Sequence, residues 1–317
     1  MRESLSENLV QAQGLVKAFG AFRALDGLDL SVAEGEVHGF LGPNGAGKST
    51  TIRALLGQLR LNAGKAEVFG MHPWKDSVQI HGRLAYVPGD TSLWPGLSGG
   101  ECIDVLGGFQ GSMDSRRRDE LVERFELDPT KRARTYSKGN RQKVALVAAL
   151  SCDAELFILD EPTSGLDPLM EAVFQKVITE LNREGRTVLL SSHILAEVEA
   201  LCDRVTIIRS GKTVSTGTLE QLRSGTLTTV EATTGRRPPG LEDIDGVTDL
   251  RFENHPHGVR LRLVATHAAM PEAVAAVTAA APTDLVVRPP SLEQLFLEHY
   301  QDSGHSRGGA DSAVGES

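Results

Sequence analysis

The sequence predicts an α/β protein built on a parallel sheet, with a helical insert and a smaller α+β domain after it. Three observations carry this expectation. Short apolar runs at Val37–Leu41, Leu156–Leu159 and Thr187–Leu190 are bounded by polar residues, as buried strands of a parallel sheet are. Helical segments, Phe174–Arg183 and Ile194–Cys202, alternate with them, which is the α/β pattern. After Gly217 the texture changes to strands of mixed polarity around an Ala-rich helix.

Composition bounds the reading. Of 317 residues, 40% are hydrophobic, enough for a large core and against disorder of the whole chain. The length accommodates two or three domains. Lys plus Arg is 33 against 42 for Asp plus Glu, a net charge of −9, which argues against broad nucleic-acid binding while leaving a local basic patch open. Cys102, Cys152 and Cys202 form no close pair, so neither a disulfide framework nor a CxxC zinc site is expected, and a reducing cytosol fits. The N-terminal stretch has no apolar secretory core. The longest apolar run, Val144–Leu150, is far short of the roughly 20 residues of a membrane helix.

Taken in order, Val37–Leu41 is a strand that runs into a Gly-rich loop, and Ser49–Leu59 reads as the helix after it. Strand signals stop between Leu93 and Leu150, which predicts a helical subdomain at about 93–150. Arg204–Ser215 carries a Ser-Gly-Lys turn between two strand-like arms, a hairpin signal. Thr228–Thr233, Val247–Phe252, Val259–Val264 and Leu285–Val287 read as strands and Pro271–Ala280 as a helix. The expected domains are therefore 1–217, a small accessory domain at 218–300, and a Gly/Ser-rich disordered tail at 301–317.

The chemistry concentrates at strand ends. Gly42-Pro43-Asn44-Gly45-Ala46-Gly47-Lys48-Ser49-Thr50 fits G-x-x-x-x-G-K-[ST] between a strand and a helix, the context that motif requires. Its glycines let backbone amides turn toward phosphate oxygens, and the helix N-terminus adds partial positive charge. Lys48 would reach the β- and γ-phosphates, Ser49 would ligate magnesium, and Thr50 would add a phosphate contact. The bland reading, a Gly-rich turn with a surface lysine, leaves this spacing and context unexplained. Leu156–Glu161 ends an apolar strand in two carboxylates. Asp160 lies where α/β proteins bind ligands and would hold the magnesium; Glu161 would deprotonate an attacking water. A solvated acidic turn is the alternative, and the phosphate loop weighs against it.

GPNGAGKST, YSKGNRQK at Tyr136–Lys143, LFILDEPTSGLD at Leu156–Asp167 and SSH at Ser191–His193 together resemble the ATP-binding subunits of ABC transporters, over residues 9–217. The resemblance implies a P-loop NTPase core of ABC type. Leu97–Glu101 reads LSGGE, nearly the family's LSGGQ, but stands 63 residues before Asp160, too far for that motif. Ser137, 23 residues before Asp160, stands where the signature belongs, so Ser137 and Gly139 are the expected signature residues and LSGGE a loop opening the helix Glu101–Leu106. Lys138 and Asn140 replace the usual glycine and glutamine, which puts the hydrolysis rate in question. By the same resemblance His193 contacts the γ-phosphate, Asp167 lies in the loop that touches an opposing subunit, and Phe19 stacks on adenine, with Phe22 as its rival. Gly89 stands where the family has a glutamine; Asp90 is a candidate substitute.

The resemblance further implies ATP and magnesium as cofactors, a head-to-tail dimer with a second copy, and a separate permease, with no nucleic-acid partner. Lys48, Glu161 and His193 would be the catalytic set. Pro290–Leu297 (PSLEQLFL) resembles the ending of bacterial daunorubicin-type drug-export ATPases, which work with ABC-2-class permeases; its bland reading is an amphipathic helix. The implied location is cytoplasmic, peripheral on the inner face of the membrane through the permease. A weakly hydrolysing regulator and a soluble non-transport ABC ATPase are the alternatives.

Overall fold

The computed structural model describes residues 8–109, 112–224, 227–256, 258–266 and 268–288. Pro290–Leu297 and the tail at 301–317 lie outside the described residues. The chain divides into two compact units, Met1–Thr218 and Leu219–Ser317.

The first unit opens on two long strands, β1 (Asn8–Phe19) and β2 (Phe22–Ala33), followed by β3 (Val37–Leu41), α1 (Lys48–Leu55), β4 (Ala63–Val68), α2 (Ser77–His81) and β5 (Leu84–Val87). Three helices follow, α3 (Gly99–Phe109), α4 (Ser115–Arg124) and α5 (Lys138–Leu150). The unit closes with β6 (Leu156–Asp160), α6 (Pro168–Arg183), β7 (Thr187–Ser192), α7 (Leu195–Leu201), β8 (Arg204–Arg209) and β9 (Lys212–Thr218). The sequence-predicted strands β3, β6 and β7 pair in parallel within a six-stranded sheet of order β5-β6-β7-β3-β8-β9, whose last strand is antiparallel. All five residues of β3 and of β6 are buried, as strands covered on both faces must be.

A second, antiparallel sheet, β2-β1-β4, was not foreseen from the sequence. β1 mixes buried Val10, Ala12 and Leu15 with glutamines and Lys17, so no continuous apolar run marks it. The core joins the two sheets through the helix between them: Leu15 and Leu25 from one, Ile52 and Leu55 of α1, and Phe40, Ile158 and Leu189 from the other. Each such side chain contributes roughly 1.5–3 kcal/mol of burial.

Helix α1 ends at Leu55, earlier than the Ser49–Leu59 expectation. Gly57, at φ +69°, closes it, with Gln58 N–H donating to the Arg53 carbonyl as in a Schellman cap. Helix α6 starts earlier than Phe174 because Asp167 caps the Leu169 and Met170 amides and Pro168 fits the first turn. Helix α5 is buried from Gln142 to Leu150 and packs on α3, α4 and β5.

The second unit contains α8 (Leu219–Ser224), β10 (Thr228–Thr234), β11 (Val247–His255), β12 (Gly258–Ala265), α9 (Met270–Ala279) and β13 (Pro282–Arg288). Its sheet, ordered β11-β12-β10-β13, is antiparallel throughout. Val230, Leu261 and Leu263 form its core with Ala273 and Val277 of α9.

Candidate functional site

Strand β3 delivers the chain to the Gly42–Thr50 loop, and α1 leaves it. Gly45 and Gly47 adopt φ +80° and +115°, conformations that side-chain-bearing residues rarely take. Gly42 also has no room for a side chain: a Cβ there would stand 2.7 Å from the Ile208 carbonyl oxygen. Among the described residues the amides of Gly45, Gly47, Lys48 and Ser49 take no backbone acceptor, which leaves a concave set of donors of the kind that holds phosphate. Lys48 Nζ crosses the loop and donates to the Gly42 carbonyl at 2.7 Å. Ser49 is exposed at the first turn of α1.

Strands β6 and β7 bring three more groups to the same end of the sheet. Glu161 Oε1 lies 3.4 Å from Lys48 Nζ and 3.3 Å from His193 Nδ1. Glu161 itself sits at φ +48°, a left-handed conformation for a non-glycine residue and a mark of local strain. Its amide is held by the Ser191 carbonyl at 3.1 Å. Asp160 is buried; its Oδ1 accepts from the Ser191 hydroxyl at 2.5 Å, and no cation pairs with it among the described residues. Ser191 therefore serves both carboxylate residues, a role not readable from the SSH string. A buried carboxylate without a positive partner among the described residues, with the exposed Ser49 hydroxyl at a helix start on the same end of the sheet, is a hard oxygen donor set that fits magnesium.

Gly89 lies against this pair: a Cβ there would be 3.2 Å from the Asp160 carbonyl oxygen and 3.7 Å from its Oδ2. Asp90 is exposed and takes no hydrogen-bond or ion-pair partner among the described residues. Burial, followed by the charge of Asp160, pushes the Tyr86 phenol up to about 12.

Ser137 caps α5, its Oγ accepting from the Asn140 amide at 3.2 Å. Lys138 Nζ donates to Ser164 Oγ at 2.8 Å, on the loop that follows Glu161. Gln142, buried near the start of α5, receives the Thr91 hydroxyl and donates to the Pro162 carbonyl. The LSGGE segment is a different object. Ser98 and Glu101 exchange backbone–side-chain hydrogen bonds, 2.6 and 3.2 Å, as a capping box at the start of α3. The amides of Gly99 and Gly100 already donate to the Lys131 and Pro129 carbonyls.

Phe19 and Phe22 face each other across the β1–β2 turn, 52% and 63% exposed, so neither is a core residue. Lys17 Nζ lies 5.0 Å from the Phe19 ring. Asp167 spends its carboxylate on capping α6.

A phosphate-binding loop, a strand-end acidic pair and a histidine converge on one end of a parallel sheet that carries a helical insert; this is the site of an ATP-hydrolysing cassette. Residues 25–164 match the ABC transporter family. The chain is 38% identical to the daunorubicin resistance ATP-binding protein DrrA3 of Streptomyces coeruleorubidus, over 70% of this chain and 72% of the relative. It is 32% identical to the linearmycin resistance ATP-binding protein LnrL of Bacillus subtilis, over 91% of this chain and 97% of that one. A solved ATP-binding subunit of an ABC transporter superposes with a TM-score of 0.64 at 31% identity, covering 68% of this chain and 92% of the other. The chain belongs to the ATP-binding subunits of ABC transporters and is an ATP hydrolase. Among the described residues no helix is long and apolar enough to cross a membrane.

Proposed function

We propose that two copies of this chain close head to tail around two ATP molecules and drive a separate ABC-2-type permease that exports a drug- or antibiotic-like compound. The observation that carries the reading is the meeting of Lys48 Nζ and His193 Nδ1 at Glu161 Oε1, beside the open amides of the phosphate loop. In this proposal Gly42–Thr50 cradles the phosphates and Lys48 exchanges its Gly42 carbonyl for phosphate oxygens. Glu161 accepts the proton of the attacking water, and His193 orients that water against the γ-phosphate. Ser49 and Asp160 would hold magnesium, which when bound would supply charge neutralisation on the phosphates. Phe19 stacks on adenine. Ser137, which accepts from Asn140 and keeps its own hydroxyl hydrogen free to donate, reaches with Gly139 the γ-phosphate bound to the other copy, and Asp167 lies at that contact.

A membrane partner is supported by an exposed concave surface of about 580 Å³, lined by Leu56, Gln58, Val78, His81 and Phe109. Val78 and Phe109 are strongly exposed apolar side chains on it, the kind that a partner covers. The export of an antibiotic-like compound rests on the relatives' resistance names. The Leu219–Ser317 unit would act as an accessory domain. The location follows from the permease: cytoplasmic, on the inner face of the membrane.

The test is affinity purification of tagged Glu161→Gln protein from its native membranes with ATP and magnesium, followed by mass spectrometry. Recovery of one multi-span membrane protein supports the reading and identifies the permease. Recovery of ribosomal or DNA-repair proteins instead overturns it.

A further inference from the structure

We infer that Glu197, a buried acid outside the chemistry described above, is a positioning residue that holds Glu161 and His193 in register. It lies on α7 and is only 7% exposed. One carboxylate oxygen accepts from the Thr163 hydroxyl; the other accepts from Ser192 Oγ at 2.7 Å. Thr163 is two residues after Glu161, and Ser192 immediately precedes His193. Both hydroxyls are themselves buried. One side chain thus ties together the two chain segments whose tips meet at the Glu161–His193 contact.

The ordinary role for a glutamate at this place is to cap its own helix. Glu197 is the third residue of α7, where a capping box would turn its carboxylate back on the Ile194 amide. That amide is instead satisfied by Ser192 Oγ at 2.9 Å. Both carboxylate oxygens are spent on hydroxyls of other elements. No cation pairs with the carboxylate among the described residues, so burying it carries a desolvation cost that the two hydroxyl donors offset only in part. Glu171, whose carboxyl is raised first by burial and then by the charge of Glu197, adds repulsion rather than relief. An acid kept at such a cost serves geometry. Misplacing reacting groups by about an ångström costs on the order of a hundredfold in rate, so a brace across this pair acts directly on turnover.

The inference rests on the assignment of Glu161 and His193 as the reacting pair. It is tested on the full chain by steady-state ATPase kinetics. Glu197→Gln keeps the shape and one acceptor; the expected result is a fall in kcat of about tenfold or more with KM for ATP within about twofold. Thr163→Val removes one hydroxyl arm and should lower kcat in the same way, while Thr163→Ser, which keeps the hydroxyl, should restore it. The double variant Glu197→Gln/Thr163→Val should be no slower than the slower single one. Wild-type kcat in Glu197→Gln, or equal losses in Thr163→Ser and Thr163→Val, overturns the inference. Should Glu197→Gln not fold, the Thr163 pair decides. Glu161→Gln and His193→Ala serve as controls: if they retain activity, the site assignment fails; if they lose it while Glu197→Gln does not, only this inference fails.

Discussion

Gly139 presses on Gly165: a Cβ on Gly139 would stand 2.4 Å from the Gly165 carbonyl oxygen. The first turn of α5 and the loop between Glu161 and Asp167 are thus in backbone contact, with Lys138–Ser164 and Gln142–Pro162 as further ties. Gly139→Ala must displace one segment or the other. The expected outcome is a fall in ATPase kcat of at least about tenfold, with ATP affinity of the isolated chain unchanged, because the Gly42–Thr50 loop is untouched. Equilibrium nucleotide binding alongside turnover checks both halves.

Glu161→Gln should lower kcat by about 10²–10⁴, the usual worth of a general base. Binding of ATP should persist, since Lys48 keeps its Gly42 carbonyl and loses only a carboxylate 3.4 Å away. With ATP and magnesium the variant should elute as a dimer in size-exclusion chromatography and return to monomer when the nucleotide is removed.

Asp167 allows a structural role to be separated from a functional one. Asp167→Ala removes the cap of α6 and should cost about 1 kcal/mol of stability in denaturant titration, whereas Asp167→Asn keeps a capping oxygen and should cost a few tenths or less. A defect in ATP-driven dimerisation shared by both variants would belong to the subunit contact.

Alkaline stability follows from groups that burial keeps protonated, among them the buried Cys152 and the half-buried Tyr86. Burial pushes the Cys152 thiol up to about 11 and the Tyr86 phenol up to about 12, against 9.0 and 10.0 in the unfolded chain. The native state therefore keeps protons that the unfolded chain has released, and stability is lost as pH rises from about 9 to 12. Denaturant midpoints should be flat from pH 7 to 8.5 and fall above that, less steeply in Cys152→Ser.

The same burial predicts inert thiols. Cys102, Cys152 and Cys202 are all buried, and burial raises each of them, so little thiolate exists at pH 8. Maleimide should label none of them in the native protein within minutes and all three in denaturant.

Much of this architecture was legible in the sequence because buried parallel strands leave an unbroken apolar signature. Leu156–Leu159 has it and Val37–Leu41 is broken only by His38 and Gly39; β1 and β2 lack it, since their inward residues alternate with polar ones and are interrupted by Gly14 and Gly27. The phosphate loop was legible because its glycines are dictated by backbone shape. Ser191, Gln142 and Glu197 were not, because each acts through residues distant in the chain, Asp160, Thr91 and Thr163 respectively, and a polar residue carries no mark of its future partner.

The capping box at Ser98–Glu101 shows that a short string of letters is not a ligand site. What an anion recognises is a vacancy among donors, and at Gly99 and Gly100 the vacancies are filled from within by the Lys131 and Pro129 carbonyls. Editing Glu101 to glutamine would perfect the spelling of LSGGQ and still recruit no phosphate, while discarding the charge that now anchors α3 at the Ser98 amide. At the start of α5, by contrast, the Lys138 and Gly139 amides take no backbone acceptor among the described residues, although Ser137 and the Lys138 side chain are themselves engaged.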